Sequence, residues 1–484
     1  MTDEAVNRMY GARRGFTEAA AGCGKTQLLS SIVADERFGR QLILTHTHAG
    51  VAALRKRLRK RGIADARFHL DTIAGWCLRW ATAYPSISGV ADELSKKPEW
   101  HAVYEGASKV VATSLGQRVL AASYDGVLID EYQDCTLRQH QVIEAIGEQL
   151  PCRGVGDELQ AIFDFRKERV VGWNVVQKYF AFQPPLEHPW RWQQDGCSSE
   201  LGEWLKDARK ELQTRGRLTV ATDAPVRWEA HRDQKVLAQA CRSVVRSGES
   251  AVGIRKMTDK DCIPLARSLG RGWPIVEAFD HKGLPKCAKK LATADGRVAV
   301  ETLVEFLKPR VTKAYTELQR MMQSVRDGKD TKRIRKHKDH LARMQALADS
   351  GAPEAALALV DGIVRHTGWW LYRPECVRQL QAALREIAGG TLADLPEAVA
   401  AARTRARHRG RVVPMRCLGT PLLVKGLEFD HAVVMTPEEL TVRELYVAIT
   451  RGSKSLTIVS KSRVIAPKGA SASGSESGTQ NIIE

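Results

Sequence analysis

The chain has 484 residues, of which 43% are hydrophobic, and its 74 Lys and Arg outnumber its 56 Asp and Glu to give a formal charge of +18. This composition excludes disorder throughout, and the length favours two or more domains because a single core seldom grows past about 250–300 residues. The charge favours a polyanionic partner such as nucleic acid, although basic surfaces also arise without one.

The sequence gives no sign of a membrane segment. No run approaches the ~18–20 consecutive apolar residues that span a bilayer, and Met1-Thr2-Asp3-Glu4 lacks the basic-then-apolar order of a signal peptide. The ten cysteines form no C-x-x-C pair or short Cys/His cluster, which argues against a zinc site or a disulfide framework. We therefore expect a cytoplasmic protein with no membrane partner, whose cysteines are mostly small core residues.

Apolar runs typical of strands alternate with helix-like stretches along the first third of the chain. The strand-like runs are QLILT (41–45), YDGVLID (124–130) and CRGVGD (152–157), and the helix-like stretches between them are AGVAALRKRL (49–58) and RQHQVIEAIGEQL (138–150). Alternation of this kind predicts a parallel sheet with crossover helices.

A similar alternation returns later in the chain, so we predict an α/β protein with two parallel-sheet cores. The later strand-like runs are VRWEAH (226–231), SAVGIRK (250–256), HAVVM (431–435) and SLTIVS (455–460). The predicted division is a first core at 1–185 with a small helical insertion at about 75–120, a second core at 186–280 and 411–465, a helical basic insertion at 281–410, and a disordered Gly/Ser-rich tail at 466–484.

The segment AAAGCGKT (19–26) lies between strand-like GFTEA and helix-like QLLSSIVA. A phosphate-binding loop requires this context: glycines let backbone N–H groups face the phosphates, Lys25 neutralises their charge and Thr26 ligates Mg²⁺. Taken alone, the motif also occurs as a chance glycine turn. The nucleotide-binding residues that this loop predicts are Ala19, Ala20, Ala21, Gly22, Cys23, Gly24, Lys25 and Thr26.

Two further segments follow predicted strands and supply the remaining chemistry. GVLIDEYQD (126–134) places a carboxylate pair at a strand end, where Asp130 would hold Mg²⁺ and Glu131 would polarise the attacking water as general base. In GDELQAIFDFR (156–166), Gln160 would sense the γ-phosphate from the neighbouring strand end. For the acidic pair alone, a solvated turn is the alternative interpretation.

Together these segments resemble the motifs of superfamily 1 helicases of the UvrD/Rep/PcrA type, in the order of that family. The remaining segments, LTHTHAGVAALRKRL (44–58), DTIAGW (71–76), LEHPWRWQ (186–193), LGTPLLVKGLEFDHAVV (418–434) and ELYVAITRGSKSLTIV (444–459), look like its motifs Ia, Ib, IV, V and VI. The resemblance covers both predicted cores. It implies two RecA-like domains with helical insertions, ATP and Mg²⁺ as cofactors, and ATP-dependent movement on DNA.

The resemblance also implies roles for residues outside the phosphate-binding loop. Arg191 and Arg451 would reach the γ-phosphate from the second core, so that the nucleotide lies between the two cores. Trp190 matches the aromatic residue that stacks on adenine, and Glu428 matches a carboxylate near the ribose. The catalytic set implied in this way is Lys25, Glu131, Gln160, Arg191 and Arg451.

On the nucleic-acid side, the resemblance implies contacts both to backbone phosphates and to bases. Thr47, His48 and Thr72 would contact phosphates. A stacking platform would be formed by Phe163, Phe165 and Arg166, for which core packing of the phenylalanines is the alternative. The expected partner is single-stranded DNA or a single-strand/duplex junction. The segment GDELQAIFDFR (156–166) resembles motif III of the family, and its form suggests 3′→5′ movement. Stacking and phosphate contacts do not by themselves separate DNA from RNA.

Some positions depart from the family pattern. Residues 1–18 contain no LNxxQ-like segment with which to read adenine, and Lys167-Glu168, Pro189 and Leu422 stand where motifs III, IV and V usually have other residues. The chain is also short for the family, and its insertions look reduced. Its length and layout are similar to those of helicase subunits of Gabija-type anti-phage systems, which implies a separate nuclease as a protein partner.

Two functional hypotheses of different classes follow from these patterns. The first is an ATP-dependent DNA translocase and helicase, which the full series of motifs favours. The second is a nucleic-acid-gated ATPase that acts as a sensor or regulatory subunit of a nuclease complex and unwinds little, which the reduced insertions favour. A purely structural module is disfavoured because every catalytic position of the motifs is present.

Overall fold

The structure is a computed structural model that describes residues 2–90, 99–163, 168–256, 259–270, 272–277, 283–328, 336–409 and 413–469. Phe165, Arg166 and the greater part of the predicted tail, from residue 470, lie outside the described residues. The chain divides into two compact units, one of Met1–Ala230 with Thr436–Glu484 and the other of His231–Met435. Within the described ranges, no helix has both the length and the apolar character needed to cross a bilayer.

The first unit contains a six-stranded sheet in which every neighbouring pair of strands is parallel. Its strands are β1 (Arg14–Ala19), β2 (Gln41–Thr45), β3 (Phe68–Thr72), β4 (Gly126–Ile129), β5 (Cys152–Gly156) and β6 (Ala181–Leu186). The order across the sheet is β3-β2-β4-β5-β1-β6. Because parallel strands end at one edge, the segments that follow β4, β5 and β1 lie side by side there.

Helices cover both faces of this sheet. The first ten helices of this unit are α1 (Thr2–Gly11), α2 (Lys25–Ala34), α3 (His48–Lys60), α4 (Ile73–Ala83), α5 (Pro85–Ser88), α6 (Trp100–Ala112), α7 (Ser114–Ser123), α8 (Leu137–Gln149), α9 (Trp173–Tyr179) and α10 (Ser199–Arg215), of which α10 packs against β14, outside this sheet. Successive strand residues point to opposite faces, so Ile43 packs in one core cluster with α1, α2 and α3. Leu42 and Leu44 pack in the other, with α4, α6 and α8.

A second, five-stranded sheet has the order β12-β9-β13-β14-β8. The remaining strands of the chain are β7 (Leu218–Thr219), β8 (Arg227–Ala230), β9 (Ala251–Ile254), β10 (Val311–Thr312), β11 (Trp370–Leu371), β12 (Arg416–Gly419), β13 (Phe429–Met435), β14 (Gly452–Ser460) and β15 (Val464–Ile465). Parallel pairing joins β9 to β12 and β13, and β14 to β8. The predicted α/β class with two parallel sheets is therefore confirmed.

Most of the second unit is helical and has its own core. The remaining helices are α11 (Gln234–Ser243), α12 (Asp259–Leu269), α13 (Gly283–Ala292), α14 (Gly296–Leu307), α15 (Tyr315–Arg326), α16 (Lys338–Ser350), α17 (Pro353–Arg365), α18 (Pro374–Ala388), α19 (Leu395–Arg409) and α20 (Pro421–Val424) in this unit, and α21 (Val442–Ile449) in the first. Helices α13 to α19 bury one continuous apolar cluster. The antiparallel pair β10–β11 interrupts them, and strands of two residues are too short to produce a periodic pattern in sequence.

Candidate nucleotide-binding site

The glycine-rich loop between β1 and α2 is a tight turn. Gly22 and Gly24 have φ values of 73° and 95°, a region that glycine enters without steric cost. A Cβ atom on Gly22 would lie 2.5 Å from the ring of Trp192, so the space also requires glycine. Cys23 donates its backbone N–H to the carbonyl of Ala20 at 3.1 Å, and burial raises the pKa of its thiol to about 12. The loop ends where α2 begins, and the N-terminus of a helix favours anions.

Lys25, the first residue of α2, faces the carboxylate pair at the end of β4. Its Nζ atom lies 3.2 Å from Oε2 of Glu131. Burial works to lower the pKa of Lys25, but the carboxylates of Glu131 and Asp157 outweigh burial, so this pKa is raised. Burial, together with the neighbouring Glu131, raises the pKa of Asp130 to about 7. The site therefore holds its lysine charged beside carboxylates that repel each other.

A chain of hydrogen bonds connects the end of β4 to the end of β5. Glu131 has a φ of 53°, which residues other than glycine rarely adopt and which clusters at functional sites. Gln133 donates to Oε2 of Glu131, and its Oε1 accepts from the backbone N–H of Asp157 at 3.0 Å. Gln160 donates to Oδ2 of Asp157 at 2.7 Å. Gln160 is therefore linked to Glu131 through two intervening residues, Asp157 and Gln133.

The structure brings the two predicted arginines together at Thr450. Arg191 donates from Nη1 to the carbonyl of Thr450 at 2.9 Å, and Arg451 donates from Nη2 to its hydroxyl at 2.7 Å. The backbone N–H of Arg191 also donates to the carbonyl of Gly22 at 3.2 Å. Both arginines lie in the same compact unit as the glycine-rich loop, whereas motif order assigns them to the second core. The predicted core boundaries stay a prediction.

A pocket beside the loop is lined by α1, α2 and the segment that contains Trp190. The Trp190 side chain is 46% exposed, and its ring centroid lies 4.1 Å from that of His188. On the other side of the pocket, Glu4 and Arg8 of α1 form an ion pair at 2.6 Å. The full lining is Glu4, Ala5, Arg8, Cys23, Gly24, Gln27, Leu28, Pro185, Leu186, Glu187, His188 and Trp190. Polar groups of α1 thus lie where no sequence motif predicted them.

Sequence reasoning missed Arg209 and Tyr446, which join distant parts of the site. Arg209 bridges two carboxylates, donating at 2.5 Å to Asp157 and at 2.5 Å to Glu18. Its guanidinium group lies 5.2 Å from the ring centre of Tyr446. The hydroxyl of Tyr446 accepts from the backbone N–H of Ala21 in the glycine-rich loop at 3.1 Å. The loop, β5 and α21 are therefore held by one polar network.

One signal in the sequence could have identified Arg209. The buried residues of α10 include Leu205, Ala208 and Leu212, whose spacing is that of one helix face. Arg209 is four residues after Leu205 and three before Leu212, so it falls on the apolar stripe. A charged residue on such a stripe is almost never fully buried unless it is paired.

Replacing Arg209 with leucine is expected to destabilise the protein by about 3–5 kcal/mol, because the Asp157 side chain, which is 0% exposed, would lose its cation. The midpoint of urea unfolding, followed by tryptophan fluorescence, measures the change. The matched control is Arg215→Leu on the same helix, where the arginine is 65% exposed and its ion pair with Glu211 spans 4.0 Å. Loss of that pair should have almost no effect. Equal midpoints for the two variants would contradict the prediction.

The predicted nucleic-acid contacts fall at the ends of the neighbouring strands β2 and β3. Thr47 caps α3 by accepting from Gly50 N–H at 3.0 Å, and Thr72 caps α4 by accepting from Gly75 N–H at 2.9 Å. Thr47 and His48 are exposed, whereas Thr72 is only 4% exposed. The basic residues of α3 that follow are exposed on its outer side: Arg55, Lys56, Arg57, Arg59 and Lys60. Phe163, the one described member of the predicted stacking platform, is half-buried.

The residues predicted to hold Mg²⁺ fit that ion in chemical type. Thr26 offers a hydroxyl oxygen and Asp130 a carboxylate oxygen, and Mg²⁺ prefers oxygen ligands. The carboxylate pair supplies the second argument, since a cation would relieve the repulsion that helps to raise the pKa of Asp130. Glu428, the predicted ribose contact, immediately precedes β13 and lies in the second compact unit.

Fold and site together define an α/β protein with a glycine-rich strand–loop–helix segment set against a carboxylate pair. Residues 107–181 match the family model of the UvrD/REP helicase N-terminal domain. This segment contains Asp130, Glu131 and Gln160 and ends before the second sheet. No curated protein matches the sequence.

Two solved structures are similar to the chain at 11% sequence identity. One is the complex of Arterivirus nonstructural protein 10 (helicase) with DNA, with a TM-score of 0.35, covering 94% of this chain and 63% of that one. The other is the crystal structure of Arterivirus nonstructural protein 10 (helicase), with a TM-score of 0.30, covering 94% of this chain and 61% of that one. The chain thus spans less than two thirds of their length.

Proposed function

We propose that this chain hydrolyses ATP and uses the reaction to move along single-stranded DNA and to open duplexes at single-strand/duplex junctions. The observation that carries the proposal is the 3.2 Å pair of Lys25 and Glu131 between the glycine-rich loop and the end of β4. The match of residues 107–181 to a UvrD/REP helicase domain supports the same assignment, because it contains the carboxylate pair.

ATP binding would rearrange this pair. The phosphates would compete with Glu131 for Lys25, since each offers the ammonium group a negative oxygen. Glu131 would then be released from its ion pair and could accept a proton from the attacking water. Thr26 and Asp130 would hold Mg²⁺, which neutralises phosphate charge when bound.

The two arginines at Thr450 would stabilise the charge that develops on the γ-phosphate. The backbone N–H of Arg191 is hydrogen-bonded to the carbonyl of Gly22 in the glycine-rich loop. Movement of the segment that contains Arg191 would therefore shift the loop relative to the bound phosphates. Arg451 is only 1% exposed, and its guanidinium group also donates to the carbonyl of Val447 at 2.8 Å. A fixed donor of this kind acts without reorganisation during the reaction.

The pocket lined by α1 would receive the base of the nucleotide. Trp190 offers a partly exposed ring for stacking. The ion-paired side chains of Glu4 and Arg8, with Gln27 from α2, offer donors and acceptors to the edge of the base. These groups would take the place of the glutamine-containing segment that residues 1–18 lack.

The nucleic-acid strand would run across the N-termini of α3 and α4. Thr47 and His48 are exposed at the first of these, where the helix dipole favours phosphate. The exposed basic residues on the outer side of α3 add charge-dependent affinity, so binding should weaken steeply as salt rises. Bound DNA would lie near the strand ends that carry the ATP site in the same sheet.

Steady-state ATP turnover by the purified chain, with and without single-stranded DNA, tests the proposal. We expect DNA to stimulate turnover several-fold, because strand binding and hydrolysis use ends of the same sheet. Single-stranded RNA of the same sequence is the matched comparison for the identity of the nucleic acid. Absence of stimulation in a protein that demonstrably binds DNA would overturn the motor assignment for the isolated chain.

A regulatory ATPase with little unwinding of its own is the competing function. A strand-displacement assay on a junction with a 3′ single-stranded tail distinguishes the two, since only the helicase releases the labelled strand. A junction with a 5′ tail tests the proposed 3′→5′ direction, which rests on the form of motif III.

We also propose a nuclease partner in anti-phage defence. This partner is supported by chain length and motif layout alone. Co-purification of the chain with a nuclease encoded beside it would test the proposal.

A further inference from the structure

The helical part of the second unit contains a cluster of three histidines that the ATP site does not use. His337 precedes α16, His340 lies in its first turn, and His366 follows α17. One ring nitrogen from each of the three lies within 4.8 Å of the other two. The sequence brings these residues together by an H-x-x-H spacing and by the antiparallel packing of two consecutive helices.

We propose that His337, His340 and His366 form a binding site for a divalent transition metal, with zinc as the ion that the ligand set fits best. Three imidazoles are a ligand set that zinc accepts, with a fourth position left to water. The inference is independent of the proposed function, because no residue of the ATP site takes part in it.

Burial of His340 without a partner is the observation that points to a ligand. Its side chain is 5% exposed, and its Nδ1 atom has no hydrogen-bond partner among the described residues. A buried polar atom left unsatisfied costs free energy. A metal coordinated through this nitrogen would satisfy it, whereas the indole ring of Trp369 beside it is no hydrogen-bond partner of that nitrogen.

Trp369 holds the three rings in place. Its ring is stacked on His366 at 4.3 Å and on His340 at 4.9 Å between centroids, and it also contacts His337 at 4.8 Å. The tryptophan itself is 4% exposed. Rings supported in this way need only small movements to reach the ~3.3 Å nitrogen separation that zinc–nitrogen bonds of about 2.0–2.1 Å imply.

The surroundings of His340 and His366 favour the neutral form of these two imidazoles, which is the form that binds a metal. Burial lowers the pKa of His340 to about 4, with His366, Arg343 and His337 acting in the same direction and Asp339 in the opposite one. Burial and His337 lower the pKa of His366. Burial therefore acts in the same direction on both rings, against their charged form. Arg343, a cation on α16, opposes a metal.

Binding would cost one existing hydrogen bond. The Nδ1 atom of His366 accepts from the backbone N–H of Gly368 at 3.0 Å. Coordination through either ring nitrogen ends this bond, because a metal needs the lone pair of one nitrogen while the other then carries the proton. Three metal–nitrogen bonds are gained in exchange. The ion would tie the start of α16 to the end of α17.

Zinc and cobalt titration of the full-length chain, after dialysis against a chelator, tests the site. We expect one zinc per chain by calorimetry, a visible absorption band with cobalt, and a rise in the thermal midpoint with zinc. His337→Asn is the main variant, because the residue has a φ of 60°, which asparagine tolerates. His366→Gln is the second variant, and His340 is left intact because its burial would confound folding.

Each of the two variants should weaken zinc binding by more than about 100-fold, since losing even an indirect metal partner costs about 10–100-fold. The matched control is His101→Gln, an exposed histidine of α6, which should bind zinc as the wild type does. Retention of far-ultraviolet circular dichroism shows that the variants are folded. Absence of zinc binding by the wild type, or equal affinity in all three variants, would overturn the proposal.

Discussion

Replacement of Glu131 by glutamine is expected to reduce ATP turnover by about 10²–10⁴-fold, the range that a positioned general base contributes. Glutamine keeps the size of the side chain and can still accept from Gln133, but it cannot take a proton from water. ATP binding should survive, because Lys25 and the glycine-rich loop are unchanged. The measurement is phosphate release, beside equilibrium binding of a fluorescent ATP analogue.

Glu148→Gln is the matched control for this variant. Glu148 is an exposed glutamate that pairs with Arg14 at 2.6 Å, and the same chemical change there should leave turnover as in the wild type. If Glu131→Gln hydrolysed ATP at the wild-type rate, Glu131 would not be the general base. The ion pair with Lys25 would then be purely structural.

Replacement of Lys25 by alanine is expected to lower ATP turnover by about 10²–10³-fold, the loss typical of one electrostatic contact to a developing charge. Unlike the Glu131 variant, it should also lose affinity for ATP, since Lys25 would neutralise phosphate charge in the bound state. Single-stranded DNA binding should persist, because Thr47 and His48 lie on a different helix. Binding of the fluorescent ATP analogue and DNA anisotropy give the two readouts.

Two comparisons make this result specific. Lys178→Ala removes an exposed lysine from α9 and should change neither readout. A stability measurement accompanies the variant, because removing Lys25 takes away the cation that pairs with Glu131 and whose charge acts on Asp130. Retained ATP turnover in a folded Lys25→Ala protein would contradict the assignment of the loop.

The local parts of the fold could be predicted from the sequence because they leave periodic signals. The run QLILT coincides with β2 (Gln41–Thr45), since all five residues are buried and bounded by polar segments. The glycine-rich loop and Glu131 were also predictable, because strand–loop–helix context and a carboxylate at a strand end are local patterns. Their meeting at one sheet edge follows from parallel pairing of β1, β4 and β5.

The remaining features depend on contacts between residues far apart in the chain. Tyr446 reaches the backbone of Ala21 across 425 positions, and Arg209 reaches Glu18 across 191. The periodicity of a sequence carries no information about contacts between residues so far apart in the chain. The histidine cluster was missed for the same reason: His337 and His340 lie in a segment that reads as basic and solvated, and their proximity to His366 depends on how two helices pack.

Burial of the cysteines has a practical consequence for fluorescence experiments. Among the nine cysteines whose burial the structure describes, Cys197 alone is not fully buried, and the thiol in the glycine-rich loop is held protonated by its raised pKa. Maleimide dyes react with the thiolate of accessible cysteines. Among these nine thiols, brief labelling should therefore favour Cys197, in the segment before α10, and spare the glycine-rich loop. Cys197 is thus a candidate dye position for single-molecule tracking.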